Sequence, residues 1–226
     1  LNRAPGGEGK GYYQGHYASA KLTMRVGTLS LMGMWSEDPI TMPKYYQYTN
    51  NPAYAESNDL VKTQGGWNFN SEATTTLGAN TYVVARFSMK RNALGLQSFE
   101  QTGTRYYQSG FYWGAGNNDY NTDRDHNQYL VNLNHFMDTS FGYHDVKLGF
   151  EYYDMDVLGA VNSSYPGGEF VAYNDSGVPR YRYVYETDVP KRVGKTATTT
   201  TIFLQDKWEV SKGLTLNLGF RFEGGK

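Results

Sequence analysis

Four groups of residues have types and spacings that invite a chemical reading. Asp119, Asn121, Asp123 and Asp125 recur at every second position, and oxygen-rich side chains of this kind suit a hard cation such as calcium. Against the EF-hand loop, however, Arg124 falls where glycine must turn the chain and Leu130 where the final carboxylate belongs. A solvated acidic loop is the expected form. His126, His135 and His144 lie nine residues apart, without the i, i+4 closeness of a zinc-binding helix, and read as strand or rim histidines. The run Gly6-Gly7-Glu8-Gly9-Lys10-Gly11 looks like a phosphate loop, but no Ser or Thr follows the Lys and no strand precedes it. It reads as a flexible loop.

The fourth group is aromatic. Tyr106, Tyr107, Phe111, Tyr112 and Trp113 crowd into one stretch, where they suit stacking on the flat or apolar face of a bound solute. Self-packing within a loop, or an aromatic girdle, uses the same residues. No Ser–His–Asp set, paired carboxylates or nucleotide motif accompanies them, so no catalytic residue, cofactor or metal ligand is assigned. The chemistry is that of binding and passage, not of an enzyme.

Composition limits what can position these groups. The 226 residues contain no Cys, which excludes a disulfide scaffold and thiolate metal sites. A net charge of −1 argues against nucleic acid as a partner, since tracking phosphates needs a basic face. No window approaches eighteen apolar residues and the mean hydropathy is −0.65, which excludes transmembrane helices. It does not exclude a membrane β-barrel, whose strands are only half apolar.

Period-two patterning marks eight strands, near 17–26, 28–35, 67–77, 83–90, 127–135, 146–152, 198–210 and 214–223. The last is the cleanest: Leu214, Leu216, Leu218, Phe220 and Phe222 alternate with Thr215, Asn217, Gly219, Arg221 and Glu223. Most are near the 9–11 residues of a tilted membrane strand, longer than the roughly 5–6 common in soluble sheets. Lys21, Arg25, Glu72, Arg86, Lys90, Lys147, Glu151, Arg221 and Glu223 all keep to the polar phase. A Lys or Arg facing lipid at mid-depth would cost roughly 2–4 kcal/mol, which enforces that phase. Asp206 departs from it, in step with Ile202, Leu204 and Trp208, and calls for a bulge or a place at the membrane rim.

Connections alternate in length. Strands one and two meet at Gly27, three and four at Gly78-Ala79-Asn80, five and six through 137–143, and seven and eight at Ser211-Lys212-Gly213. Long connections occupy 36–66, 91–126 and 155–196, and the third contains its own hairpin, Glu169 to Tyr173 and Arg180 to Tyr185, turning at Asn174-Asp175-Ser176-Gly177. Short periplasmic turns and long extracellular loops alternate in this way in outer-membrane barrels. The expected fold is therefore all-β, a segment of an antiparallel transmembrane β-barrel in the cell outer membrane. With short turns in the periplasm both chain ends fall outside, so residues 1–226 are expected to be an internal part of one larger barrel domain.

Thr201-Ile202-Phe203-Leu204-Gln205-Asp206-Lys207-Trp208, followed by Leu214-Thr215-Leu216-Asn217-Leu218-Gly219-Phe220-Arg221-Phe222-Glu223, resembles two barrel strands of TonB-dependent outer-membrane receptors, notably those with an Oar-like barrel. The resemblance implies about 22 strands, of which this chain would supply about a third. It implies as partners outer-membrane lipid, the receptor's own plug domain and the periplasmic TonB energising protein that contacts the plug. It also implies capture of a scarce small solute, whether siderophore, cobalamin, oligosaccharide or peptide, by extracellular loops. Two other readings fit the residues: a passive porin, and a secreted aromatic-rich domain that binds glycans.

Overall fold

The computed structural model describes residues 12–48, 53, 55, 58–99, 103–116, 119–162, 169–184 and 191–226. The Gly6–Gly11 run and Tyr185 lie outside them. One antiparallel wall holds β1 (Gln14–Gly15), β2 (Ala18–Val26), β3 (Leu29–Glu37), β4 (Ile40–Met42), β5 (Leu60–Thr76), β6 (Thr81–Ser98), β9 (Asp119–Thr139), β10 (Gly142–Asn162), β13 (Lys191–Ser211) and β14 (Leu214–Gly225). The pairs β1–β4 and β2–β3 share one register, as do β3 and β4 against β5. These four pieces are thus two strands, each interrupted at one height. Pro39 explains the break in the second, since it has no N–H to give the ladder. Asp38 carries the contact instead, its N–H donating to the Gly66 carbonyl at 2.9 Å and its carboxylate accepting the Gly66 N–H at 3.2 Å. Counted this way the wall has eight strands, the eight that the alternation marks.

Two-residue turns join Val26 to Leu29 and Thr139 to Gly142, so the 137–143 connection is shorter than expected. At the first, Gly27 supplies the positive φ (59°) that a tight hairpin needs. At the other end the strands run well past their expected limits. β9, β10 and β13 have 21 residues each, roughly 70 Å at about 3.3 Å per residue, more than twice what a bilayer requires. This corrects the reading of Asp119, Asn121, Asp123 and Asp125 as a solvated loop: they lie on β9. The 91–126 and 155–196 connections contract accordingly.

The two faces differ as a membrane wall requires. Val131, Leu148, Ile202, Leu218 and Phe222 stand 46–61% exposed on one face. The buried polar residues Ser36, Thr122, Asn132, Asn134 and Thr201 all lie on the other, which is therefore concave. Aromatic residues bound the apolar face. Phe87, Tyr129 and Tyr152 pack in a row, at centroid separations of 5.0 and 6.2 Å. Trp208 and His144 stack toward the short-turn end. From Tyr152 to His144 is eight residues along β10, about 20 Å of height at a ~40° tilt, close to the ~25 Å apolar band of an outer-membrane barrel. Asp206 pairs with His144 beside Trp208, and no register shift reaches it, so it sits at the rim and not on a bulge.

What remains of the second and third long connections forms a separate four-stranded sheet. It is built from β7 (Thr104–Gln108), β8 (Phe111–Gly114), β11 (Glu169–Tyr173) and β12 (Pro179–Val184), in the order β12-β11-β7-β8. The expected hairpin of the third connection is present as β11 and β12. A single helical turn, Tyr45–Tyr48, lies in the first connection.

Candidate functional site

The extracellular sheet gathers the aromatic residues. β7 and β8 pair Tyr106 with Trp113, Tyr107 with Tyr112 and Gln108 with Phe111, so the five rings alternate between two faces. On one face Tyr106 and Phe111 flank Trp113, at 5.4 and 6.2 Å between centroids. β11 lies parallel to β7 and adds Tyr173, 6.2 Å from Trp113 with the planes 17° apart. Such near-parallel, offset rings are a favourable aromatic arrangement. On the other face Tyr107 and Tyr112 approach to 4.7 Å, and the buried Arg105 guanidinium lies 4.4 Å from the Tyr112 ring centre. In the sequence Tyr173 only ends the first strand of a hairpin and belongs to no aromatic cluster, because the parallel docking of two distant connections is what brings it here.

Polar contacts fix this sheet. Glu169 accepts hydrogen bonds from the Thr104 hydroxyl at 2.8 Å and from Arg182, tying three strands together. Both contacts favour the charged form, the Thr104 bond most, and hold the Glu169 carboxyl below the usual range. Gln108 Nε2 donates to the Asn174 carbonyl at 2.9 Å, and Ser109 to Asp175 at 2.6 Å. The first connection joins from the side: the Tyr112 N–H donates to Ala53, the Ala55 N–H to Tyr112, and Asn58 to the carbonyls of Gly114 and Ala115. Asp59, fully buried, accepts the N–H groups of Tyr46 and Leu60. The buried apolar side chains among the described residues, Leu60, Ala115, Val171 and Ala172, all belong to this end of the molecule.

Below the sheet the concave face is a polar ladder. Arg86 donates to Glu72 at 2.5 Å, Ser88 to Asn70 at 2.6 Å, and Gln128 to Glu151 at 2.6 Å. The ring of Phe203 lies across Gly149, with Lys147 Nζ 5.7 Å from its centre. The three histidines do not meet. His126 stands on the concave face against Tyr153, His135 bonds the Thr81 hydroxyl, and His144 pairs with Asp206 at the rim. Nor is the β9 acidic run a closed donor set. Asp125 lies 3.5 Å from Arg91, whose guanidinium also donates to Asn127.

An inverted protein of this kind, with apolar residues outside, polar ladders inside and a packed extracellular cap, has counterparts. Residues 8–224 match the family described as TonB dependent receptor-like, beta-barrel. The chain belongs to that family. As a TonB-dependent receptor barrel it resides in the cell outer membrane, with its apolar face in lipid. No curated protein matches it in sequence. Two of the solved structures that share its fold illustrate the likeness. One is the outer membrane transporter YddB from Escherichia coli, 13% identical, with a TM-score of 0.67 over 94% of this chain and 28% of that one. The other is the siderophore receptor PiuA from Acinetobacter baumannii, 12% identical, with a TM-score of 0.56 over 96% of this chain and 36% of that one. The receptor chain thus spans about a third of these proteins, and the likeness is one of fold.

Proposed function

We propose that this chain is part of the wall and extracellular cap of a receptor that captures a scarce solute and imports it through a plugged barrel, with TonB energising the plug. The observation that carries the proposal is the joining of two loops into one sheet bearing a continuous aromatic face. Loops that served only to cover the barrel would not need to align Tyr106, Phe111, Trp113 and Tyr173. In this reading those rings stack on the solute, while Tyr107 and Tyr112 support the sheet from behind through Arg105. The chain would be one part of a single barrel domain, with the plug and further strands outside it.

The test uses the whole receptor in cells that depend on it for a growth-limiting solute. Trp113→Ala and Tyr106→Ala should raise the solute concentration needed for half-maximal uptake about tenfold or more, since each aromatic anchor is worth about 1–2 kcal/mol. Folded receptor at the cell surface must stay at the parental amount. Uptake unchanged in the double variant would overturn the assignment of the aromatic face.

A further inference from the structure

Above the upper aromatic row the wall sorts its charges by face. On the outer face stand Asp123, Asp125, Asp154 and Asp156, with Arg91 as their cation. The contacts agree with that placement: Asn127 Nδ2 donates to Asp154 at 2.8 Å, and the Thr196 hydroxyl to Asp156 at 2.6 Å. The concave positions of β5, β6, β9, β10 and β13 above Gln128 carry the cations Lys62, Lys90, Arg124 and Lys195 and no carboxylate, while burial and the neighbouring Lys90 push the His126 imidazole down toward its neutral form. Register brings these together. Lys90 lies opposite His126, while Arg124 and Lys195 flank Val157 in one row. Two strand spacings, about 10 Å, separate that last pair, near one Debye length at physiological salt.

Among the described residues Lys90, Arg124 and Lys195 form no ion pair. The nearest concave-face acids, Asp38 and Glu151, accept hydrogen bonds from uncharged donors, the Gly66 N–H and Gln128, and not from these cations. A surface needing charge only for solubility gains as much from mixed signs. Like charges lining a concave wall instead set up a field across the lumen, which concentrates ions of the opposite sign.

We infer that this stretch of the lumen is an anion-attracting vestibule, and that the solute admitted carries carboxylate, phosphate or sulfonate groups. The inference rests on reading the chain as the wall of a solute-importing barrel. It supplies the charge class that the aromatic face leaves open.

The intact receptor, purified in detergent, tests it with the trisulfonated dye pyranine and an uncharged pyrene dye of the same size, both followed by fluorescence anisotropy. Pyranine should bind, weaken with added salt, and bind about tenfold or more weakly to the Lys90→Glu, Arg124→Glu, Lys195→Glu receptor. The uncharged dye should not respond to these changes, and Asp123→Asn with Asp156→Asn on the outer face should leave pyranine binding unaltered. If the charge-reversed receptor does not fold, as judged by heat-modifiable gel mobility, the Gln triple variant decides, with a smaller loss expected. Pyranine binding that survives reversal or neutralisation overturns the vestibule alone. A parental receptor that binds neither dye overturns it together with the lumen-wall reading.

Discussion

At the scale of single residues, two close approaches set what the wall tolerates. A Cβ on Gly66 would lie 1.9 Å from the Arg91 carbonyl oxygen, and backbone at that distance cannot step aside. On Gly149 it would meet the tip of the Phe203 ring at 2.1 Å, a side chain that can rotate away at a cost. Gly149→Ala should therefore destabilise the barrel by about 1–3 kcal/mol, the usual cost of overpacking, and Gly66→Ala by more. Urea unfolding of the intact receptor in lipid bilayers would rank them, and the reverse order would contradict the geometry. Glu169 makes a pH prediction. Its carboxyl is held below the ordinary range, so its stabilising contribution is complete above the unfolded-state pKa and is lost as pH falls through the lowered native value. Acidification into the carboxylate range should expose the extracellular sheet to limited proteolysis, and Glu169→Gln should make cleavage nearly independent of pH there.

Among the strands, phase governs outcome. Leu148 stands on the outer face between Tyr152 and His144, midway through the apolar band. Leu148→Arg should cost about 2–4 kcal/mol of folding free energy in bilayers, whereas Gln205→Arg on the concave face should cost far less. Equal costs would contradict the assignment of faces. The same phase decided what the sequence could reveal. Where one face meets lipid, as in Leu214 to Phe222, alternation is obligatory and the strand is plain to read. Above the upper aromatic row both faces meet water, and stretches such as Lys195 to Thr201 lose their apolar partners while remaining strand. The acidic residues from Asp119 to Asp125 passed for a loop for that reason. The β11–β12 hairpin was legible from its turn residues, but its parallel docking on β7 was not, because no local pattern encodes a contact between separate connections.

Taken as a whole, the molecule is a curved wall with two open edges. Among the described residues the outer strands β2 and β14 each have a wall neighbour on one side only, and Leu22, Leu218 and Phe220 are more than half exposed. Unpaired strand edges and a continuous apolar face both promote association. The 226-residue chain produced alone should therefore aggregate in buffer without detergent, as measured by light scattering and size-exclusion chromatography. A stable, soluble monomer would be incompatible with a barrel wall.

The unbroken register from membrane to cap also constrains how such a sequence can vary. Deleting one residue between Arg124 and Tyr129 would turn every side chain above it to the opposite face. Arg124 would then point outward and Asp123 and Asp125 inward, setting carboxylates among Lys62, Lys90 and Lys195 and cancelling much of the positive charge of the mouth although the amino-acid composition had hardly changed. Insertions and deletions in these strands should survive in lineages only as pairs of residues, or where a neighbouring strand changes in step.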